Sequence, residues 1–519
     1  MEESKSAVSL PPSPSRTECL SWKNKGLLVA VLLMALALRI GLSNPVAIGS
    51  DMAGDYYPPA LDLIEFGTGS WDQWTAWYLR LGVLIPLAVA HAVSGSAEIA
   101  IPAAALPFSV AQVLIVFVIG RLLFNDSIGL LAAFFEAVYP VSVIFGSRPL
   151  PDTMMSCWVS AAFLAFIGGY KFSRSSLFCV AGVFLGLAYT AKLTGVFGGI
   201  VLLGFYFIRR RQLSPNIPWL LVAGVIVVIV FETILLSLLQ GELNLRLVNV
   251  LSKSASFYGE ANTVTDWTRY FPGFVGILLW PLVGDIVYHG LFGWAALLAG
   301  IFLVRRGNLP DEQRLVVWWC LGLLLLINFS CFGFSRPIVY SVYSRYIMFI
   351  TPPMVLILAV ALHAISARVR KWVVVCIVCI SLSCSYVLYS TWQPHDSGFR
   401  SLWRTVRKES TSTTTVYFQR PVIASMGKVF LGPNRKYRVA EDGDDLKSAR
   451  IGDLASVVLD NYNREAQLPD GYLRWLDTGP WEKIVDWQSR PGIVARAFKA
   501  LRIQTEKGFD KHIRLYRKQ

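Results

Sequence analysis

Charge is scarce in this chain: only 16% of its 519 residues are Asp, Glu, Lys or Arg, while 54% are hydrophobic and the mean hydropathy is +0.51. That shortage excludes an ordinary soluble protein and indicates several membrane spans. Cysteine is missing beyond Trp392, so no disulfide framework stabilises the tail. Cys157, Cys179, Cys320, Cys331, Cys376, Cys379 and Cys384 all fall in hydrophobic segments. The CxxC spacing of Cys376 and Cys379 lies on an apolar stretch, where packing rather than redox chemistry is expected. No Gly-x-x-x-x-Gly-Lys-Ser/Thr phosphate loop is present, which argues against ATP-driven transport. His91, His289, His363, His395 and His512 are scattered without ligand spacing. No cofactor is firmly implied: the Asp and Glu residues of the first long loop leave room for a divalent metal, but nothing supports one. Basic residues in the tail are dispersed rather than striped with aromatics, which disfavours nucleic acid as a partner. There is no internal repeat and no low-complexity tract beyond the Ser/Pro-rich N-terminus, which reads as disordered.

What is present is a series of apolar runs. A span needs about 20 apolar residues, and about eleven candidates can be read: 26–42, 98–120, 127–146, 153–171, 176–191, 193–208, 217–239, 286–304, 314–333, 347–366 and 372–391. The net charge of +14 is mostly explained by short basic runs between them. Lys23/Lys25, Arg121, Lys171/Arg174, Arg209–Arg211, Arg305/Arg306 and Arg368/Arg370/Lys371 all land on one side if 79–93 lies along the surface, as the positive-inside rule requires. The expected organisation is a disordered cytoplasmic N-terminus (1–25), a membrane domain (26–392) with an outer loop at 43–97, and an extracytoplasmic domain (393–519). Aromatics in that loop (Trp71, Trp74, Trp77, Tyr78) favour the membrane–water interface. A second outer loop, 240–285, is expected to hold a short helix near Phe274–Trp280. In the tail, Thr415–Phe418 and Ser456–Leu459 read as strands and Gly492–Leu501 as a helix, predicting a small α/β domain.

Two acidic clusters fall on the outer side of this arrangement. Gly49-Ser50-Asp51-Met52-Ala53-Gly54-Asp55-Tyr56-Tyr57 follows the first span, and Ser147-Arg148-Pro149-Leu150-Pro151-Asp152-Thr153 follows the third. Carboxylates at a membrane surface are costly to place and point to function. The structural alternatives are that Asp51 is an ordinary loop carboxylate, that Asp55 caps a helix and that Asp152, ahead of Thr153 and an apolar run, is an N-cap. Lys192 sits between two apolar stretches on the outer side, against the charge trend. Its alternative is an ammonium snorkelling to lipid headgroups.

These segments resemble the GT-C superfamily of polytopic glycosyltransferases, in the branch that holds protein O-mannosyltransferases and the lipid A aminoarabinose transferase. The likeness is carried by an acidic residue ahead of Tyr56-Tyr57-x-x-Ala60-Leu61, by Arg80-Leu-Gly-Val-Leu-Ile-Pro, by Gly120-Arg121-Leu-Leu-Phe and by Tyr139-Pro140. Arg148-Pro-Leu-Pro-Asp152-Thr, Gly186-Leu-Ala-Tyr-Thr-Ala-Lys192, and Arg345-Tyr346 ahead of Pro352-Pro353 complete it. It covers about residues 26–366. One departure is that many relatives carry adjacent Asp-Glu in the first loop, whereas Asp51 and Asp55 stand apart.

The resemblance implies a polytopic α-helical membrane protein that takes a sugar from a polyprenyl-phosphate donor, hexosyl or pentosyl, and places it with inversion on a protein, glycolipid or polysaccharide acceptor. Such chemistry needs a carboxylate base near the acceptor hydroxyl, for which Asp51 is first choice and Asp55 second, with Asp152 orienting or sharing that role. It also needs cations for the departing phosphate: Arg80, Lys192 and Arg345, with Arg39 as a further candidate. The rival functions are a transporter or lipid/oligosaccharide flippase, which would place charges near the bilayer midplane in two similar halves, and a membrane scaffold presenting its tail to a partner.

Overall fold

A computed structural model describes residues 21–46, 56–64, 80–240, 286–305, 309–329, 344–418, 421–431, 435–440, 445–459, 472–488 and 512–519. Asp51, Asp55 and the helices expected near Phe274–Trp280 and Gly492–Leu501 lie outside the described residues. Described residues within 1–41, 70–83 and 105–385 form one compact unit, and those within 42–69, 84–104 and 386–519 form another.

The helices run in chain order as α1 (Trp22–Gly41), α2 (Tyr57–Ile64), α3 (Leu81–Ser94), α4 (Ala97–Leu123), α5 (Asp126–Val138), α6 (Pro140–Phe145), α7 (Pro151–Phe172), α8 (Ser175–Ala191) and α9 (Val196–Arg209). They continue with α10 (Ile217–Gln240), α11 (Ile286–His289), α12 (Phe292–Arg305), α13 (Asp311–Phe329), α14 (Thr351–His363) and α15 (Ala367–Glu409). Among the described residues, five helices are long and apolar enough to cross a membrane: α1, α4, α7, residues Ile217–Leu238 of α10 and Ala367–Ser390 of α15. Helix α3 has 14 residues, fewer than the roughly 20 that a perpendicular span needs.

Four expected spans are interrupted, 193–208 among them, which opens with a 3₁₀ turn at Leu193–Gly195 before α9. The 127–146 run breaks between α5 and α6, because Pro140 at the start of α6 holds Tyr139 extended (φ −64°, ψ 122°). The 286–304 run breaks at Gly290, whose φ of +57° a side chain rarely adopts. The 347–366 run begins as a 3₁₀ segment, Ser344–Ile350, before α14. In the opposite direction, α15 continues past Trp392 to Glu409, since Phe399, Leu402, Trp403 and Val406 repeat at helical spacing and are all buried.

In the first unit the backbones meet through small residues. A Cβ added at Gly182 of α8 would lie 2.2 Å from the Leu221 carbonyl oxygen, and one at Gly224 of α10 would lie 2.2 Å from that of Cys179. Helices surrounded by lipid gain little from burying apolar surface against one another, so close backbone contact between small residues carries such a crossing. Gly120 lies against Gly129 in the α4–α5 hairpin, and Arg121 there pairs with Asp126 at 2.9 Å. Arg39 is fully buried, donating to Ser109 Oγ and to the Ala35, Ala137 and Glu136 carbonyls. Its guanidinium thus ties α1 to α4 and α5, and the expectation that it serves a phosphate gives way to that structural role. Glu136 beside it accepts from Gln112 at 2.7 Å and Ser142 at 2.8 Å.

The second unit carries a five-stranded sheet: β1 (Thr415–Phe418), β2 (Lys436–Val439), β3 (Leu454–Leu459), β4 (Trp481–Gln488) and β5 (His512–Lys518), in the order β2-β1-β3-β5-β4. β1 pairs in parallel with β2 and β3, while β5 runs antiparallel to β3 and β4. The β1–β2 crossover contains helix α16 (Pro421–Leu431), as a parallel pair requires. Tyr417, Ala455, Val457 and Tyr516 form its core together with Tyr472 and Leu476 of α17 (Tyr472–Thr478).

The same unit fixes the chain on both sides of the first acidic cluster. The Val46 N–H donates to Asp396 Oδ1 at 2.7 Å, and Asp396 in turn accepts from Arg400 Nε at 2.6 Å. On the far side, the Tyr57 hydroxyl and His91 Nδ1 are 2.6 Å apart, which holds α2 against α3.

Candidate functional site

Four of the six site residues expected from the sequence fall among the described residues, and all four belong to the first unit. Asp152 is their centre. Pro151 at the first position of α7 sets Leu150 extended as the N-cap (φ −85°, ψ 148°), with no side-chain cap bond. The capping role considered for Asp152 is therefore not the one it has. It sits one position further in, 2% exposed, and its Oδ1 accepts from Lys192 Nζ at 2.6 Å. Arg345 Nε lies 3.9 Å from its Oδ2.

Lys192 reaches that position because it is an extended residue (φ −155°, ψ 135°) between α8 and a single 3₁₀ turn, Leu193–Gly195. The turn folds tightly back on α8: a Cβ added at Gly195 would lie 2.6 Å from the Ala188 carbonyl carbon. Its ammonium turns inward to a carboxylate, with the side chain only 13% exposed, so the snorkelling alternative does not describe it. Arg80 is buried at the start of α3, where Gly82 packs on Thr190 and Ala191 with no room for a side chain. Arg80 and Arg345 both act electrostatically on Lys192.

Lys192 and Arg345 thus face one carboxylate and Arg80 lies near enough to act on Lys192, so three cations share a largely buried site. Burial lowers the Lys192 ammonium from its ordinary 10.5 to about 8 despite the opposing pull of Asp152, and Arg80 and Arg345 lower it further. Cations gathered in a buried site suit a ligand carrying negative charge, and arginine adds directional, paired donors. Both Asp152 oxygens face cations, which fits a counter-ion that orients Lys192 and Arg345. Among the described residues, no group of three or more His, Cys, Asp or Glu could hold a metal ion.

One contributor was missed in the sequence. Ser156, one helical turn after Asp152, donates to the Met348 carbonyl at 2.9 Å and so holds the segment that carries Arg345. The i, i+4 spacing of Asp152 and Ser156 was visible, but their shared partner segment, nearly two hundred residues away, was not.

The fold is that of GT-C membrane proteins. The structure of ArnT from Cupriavidus metallidurans bound to undecaprenyl phosphate matches with a TM-score of 0.60 at 13% identity, over 96% of this chain and 98% of that one. Its apo state gives 0.58 at 13% identity, over 95% and 98%. The Archaeoglobus fulgidus oligosaccharyltransferase, in complex with Zn and sulfate, gives 0.53 at 10% identity, over 95% and 88%. No curated protein sequence matches the chain. The family model of dolichyl-phosphate-mannose-protein mannosyltransferases matches residues 81–236, a stretch that contains Asp152 and Lys192. The chain is an integral membrane protein that shares the fold of these GT-C structures, and its 81–236 segment is similar to the mannosyltransferase family.

Proposed function

We propose that this protein is an inverting glycosyltransferase that moves a sugar from a polyprenyl-phosphate carrier to an acceptor hydroxyl on the extracytoplasmic side of the membrane. The observation that carries this reading is the buried cluster in which Lys192 and Arg345 face Asp152 and Arg80 lies near Lys192. The acceptor oxygen attacks the anomeric carbon while the bond from that carbon to the phosphate oxygen breaks. Its proton passes to a carboxylate, and the electron pair leaves with the polyprenyl phosphate. The three cations stabilise the charge that grows on the phosphate, and they do so best where water is largely excluded. Asp51 is our choice of base and Asp55 the second; both lie just ahead of the Tyr57 anchor. The fold likeness to ArnT bound to undecaprenyl phosphate supports a polyprenyl carrier as donor. An extracytoplasmic active face and a cytoplasmic N-terminus are supported by the common side of the basic runs.

The test is sugar transfer by purified protein from a panel of polyprenyl-phosphate sugars, with wild type, Asp51→Asn and Lys192→Ala compared. Transfer by wild type that is lost in both variants, with folding retained, is the expected result. Lipid or solute movement in liposomes, without transfer from any donor, would overturn the reading in favour of a transporter.

A further inference from the structure

Helix α9 has basic residues at both ends. Lys192 precedes it, and Arg209 closes it with Arg210 and Arg211 directly following. The helix itself has 14 residues, about 21 Å at helical rise, so its two basic ends are well apart. The Arg209–Arg211 run is one of the basic runs expected on the cytoplasmic side, whereas Lys192 is expected on the outer side with the Asp152 cluster.

There the chain forms a cavity of about 500 Å³, bounded by Arg209, Arg210, Arg211 and Arg314 together with apolar side chains of α9 and α13. Arg209 pairs with Asp311, and Arg314 Nη1 lies 3.9 Å from the same carboxylate. Glu312 is bound elsewhere, to Lys171 at 2.9 Å. Among the described residues, four arginines stand here against one aspartate. Part of the wall is held in place: Trp318 donates from Nε1 to the Val201 carbonyl at 2.9 Å, and its ring lies against Gly204, where an added Cβ would be 2.8 Å from Cζ2. Beside the arginines, Phe207 and Ile208 are 59% and 62% exposed.

The positive-inside rule accounts for basic charge at this face, but not for a cavity with an anchored tryptophan wall beneath it. The geometry points to a binding site for an anionic phospholipid, whose phosphate sits among Arg210, Arg211 and Arg314 while its acyl chains lie along Phe207 and Ile208. Basic recesses between spans are suited to such headgroups. A free phosphate would satisfy the arginines and leave the two exposed apolar side chains unused; a lipid uses both. This site is independent of the sugar-transfer reading, since it takes its charge from other residues at the other end of α9.

The experiment is native mass spectrometry of the full chain in mild detergent, titrated with phosphatidylglycerol or phosphatidylcholine. Wild type is expected to bind phosphatidylglycerol at least tenfold more tightly. Arg210→Ala/Arg211→Ala/Arg314→Ala should abolish that preference and leave phosphatidylcholine binding unchanged. Should the triple variant fold poorly, Arg210→Gln/Arg211→Gln, at two exposed positions, is expected to lower the preference about threefold. A preference that survives in the folded variants would overturn the proposal. So would inorganic phosphate displacing phosphatidylglycerol at equal concentration, because the arginines would then be a phosphate site without lipid selectivity.

Discussion

The two ends of α9 hold similar numbers of cations in opposite settings. At one end Lys192 and Arg345 face Asp152, itself only 2% exposed, with buried Arg80 near Lys192; at the other, Arg210 and Arg211 are exposed and Arg314 is half exposed. Charge count alone does not separate a reactive site from a surface one. Burial does, because removing water strengthens the field that each cation exerts on an anion placed among them. A buried cation also needs a fixed counter-charge, and Asp152 supplies it at one end, whereas water and lipid headgroups can do so at the other.

This contrast can be broken in several ways, from large effects to small. Asp51→Asn removes the proposed base and should lower sugar transfer by about 10²–10⁴-fold with donor binding retained, measured as kcat against KM. Lys192→Ala should lower transfer by about 10²-fold, while Arg210→Ala at the other end leaves it within about twofold; equal losses would erase the distinction. Gly224→Ala tests the framework beneath the buried end. A methyl group against the Cys179 carbonyl should destabilise the protein by about 1–3 kcal/mol, seen as a lowered Tm without loss of charge.

A change of pH sharpens the same comparison. Lys192 is charged below about 8 and loses its proton above that, so donor binding by the free enzyme should weaken as pH rises through 8. Arginines keep their charge across this range, so phosphatidylglycerol binding should stay flat, and Lys192→Arg should flatten the donor profile. The stability effect has the opposite sign. Between about 8 and 10.5 the unfolded chain holds the Lys192 proton more tightly than the folded one, so this group adds stability as pH rises through that window. The smallest expected effect is that of Ser156→Ala, about 1 kcal/mol, with a rise in donor KM if Ser156 serves to present Arg345.

Much of this site could be read in the sequence because its residues lie where apolar runs end. Pro151 marks the start of α7 and Lys192 interrupts two apolar stretches, so both stood out without any knowledge of their contact. Their pairing could not be read, since nothing local joins residues forty positions apart. Arg39 shows the reverse error. Its position near the end of α1 looked suited to an anion, but four donor contacts bind it inside the helix packing. Helix breaks were partly legible. Pro140 follows a tyrosine within an apolar run, and hydropathy averages smooth over such a stop. The continuation of α15 past Trp392 was hidden for a related reason, because its last turns keep an apolar stripe while their average becomes polar.

The mounting of Arg345 has a mechanical consequence. Asp152 and Ser156 stand about 6 Å apart along one rail of α7, and both face the Ser344–Ile350 segment: Ser156 pins it by a hydrogen bond at Met348, and Asp152 draws Arg345 by charge across 3.9 Å. The backbone is pinned at one point and the charge beside it is steered rather than locked, so an anion arriving there costs the protein less freedom than it would at an untethered arm.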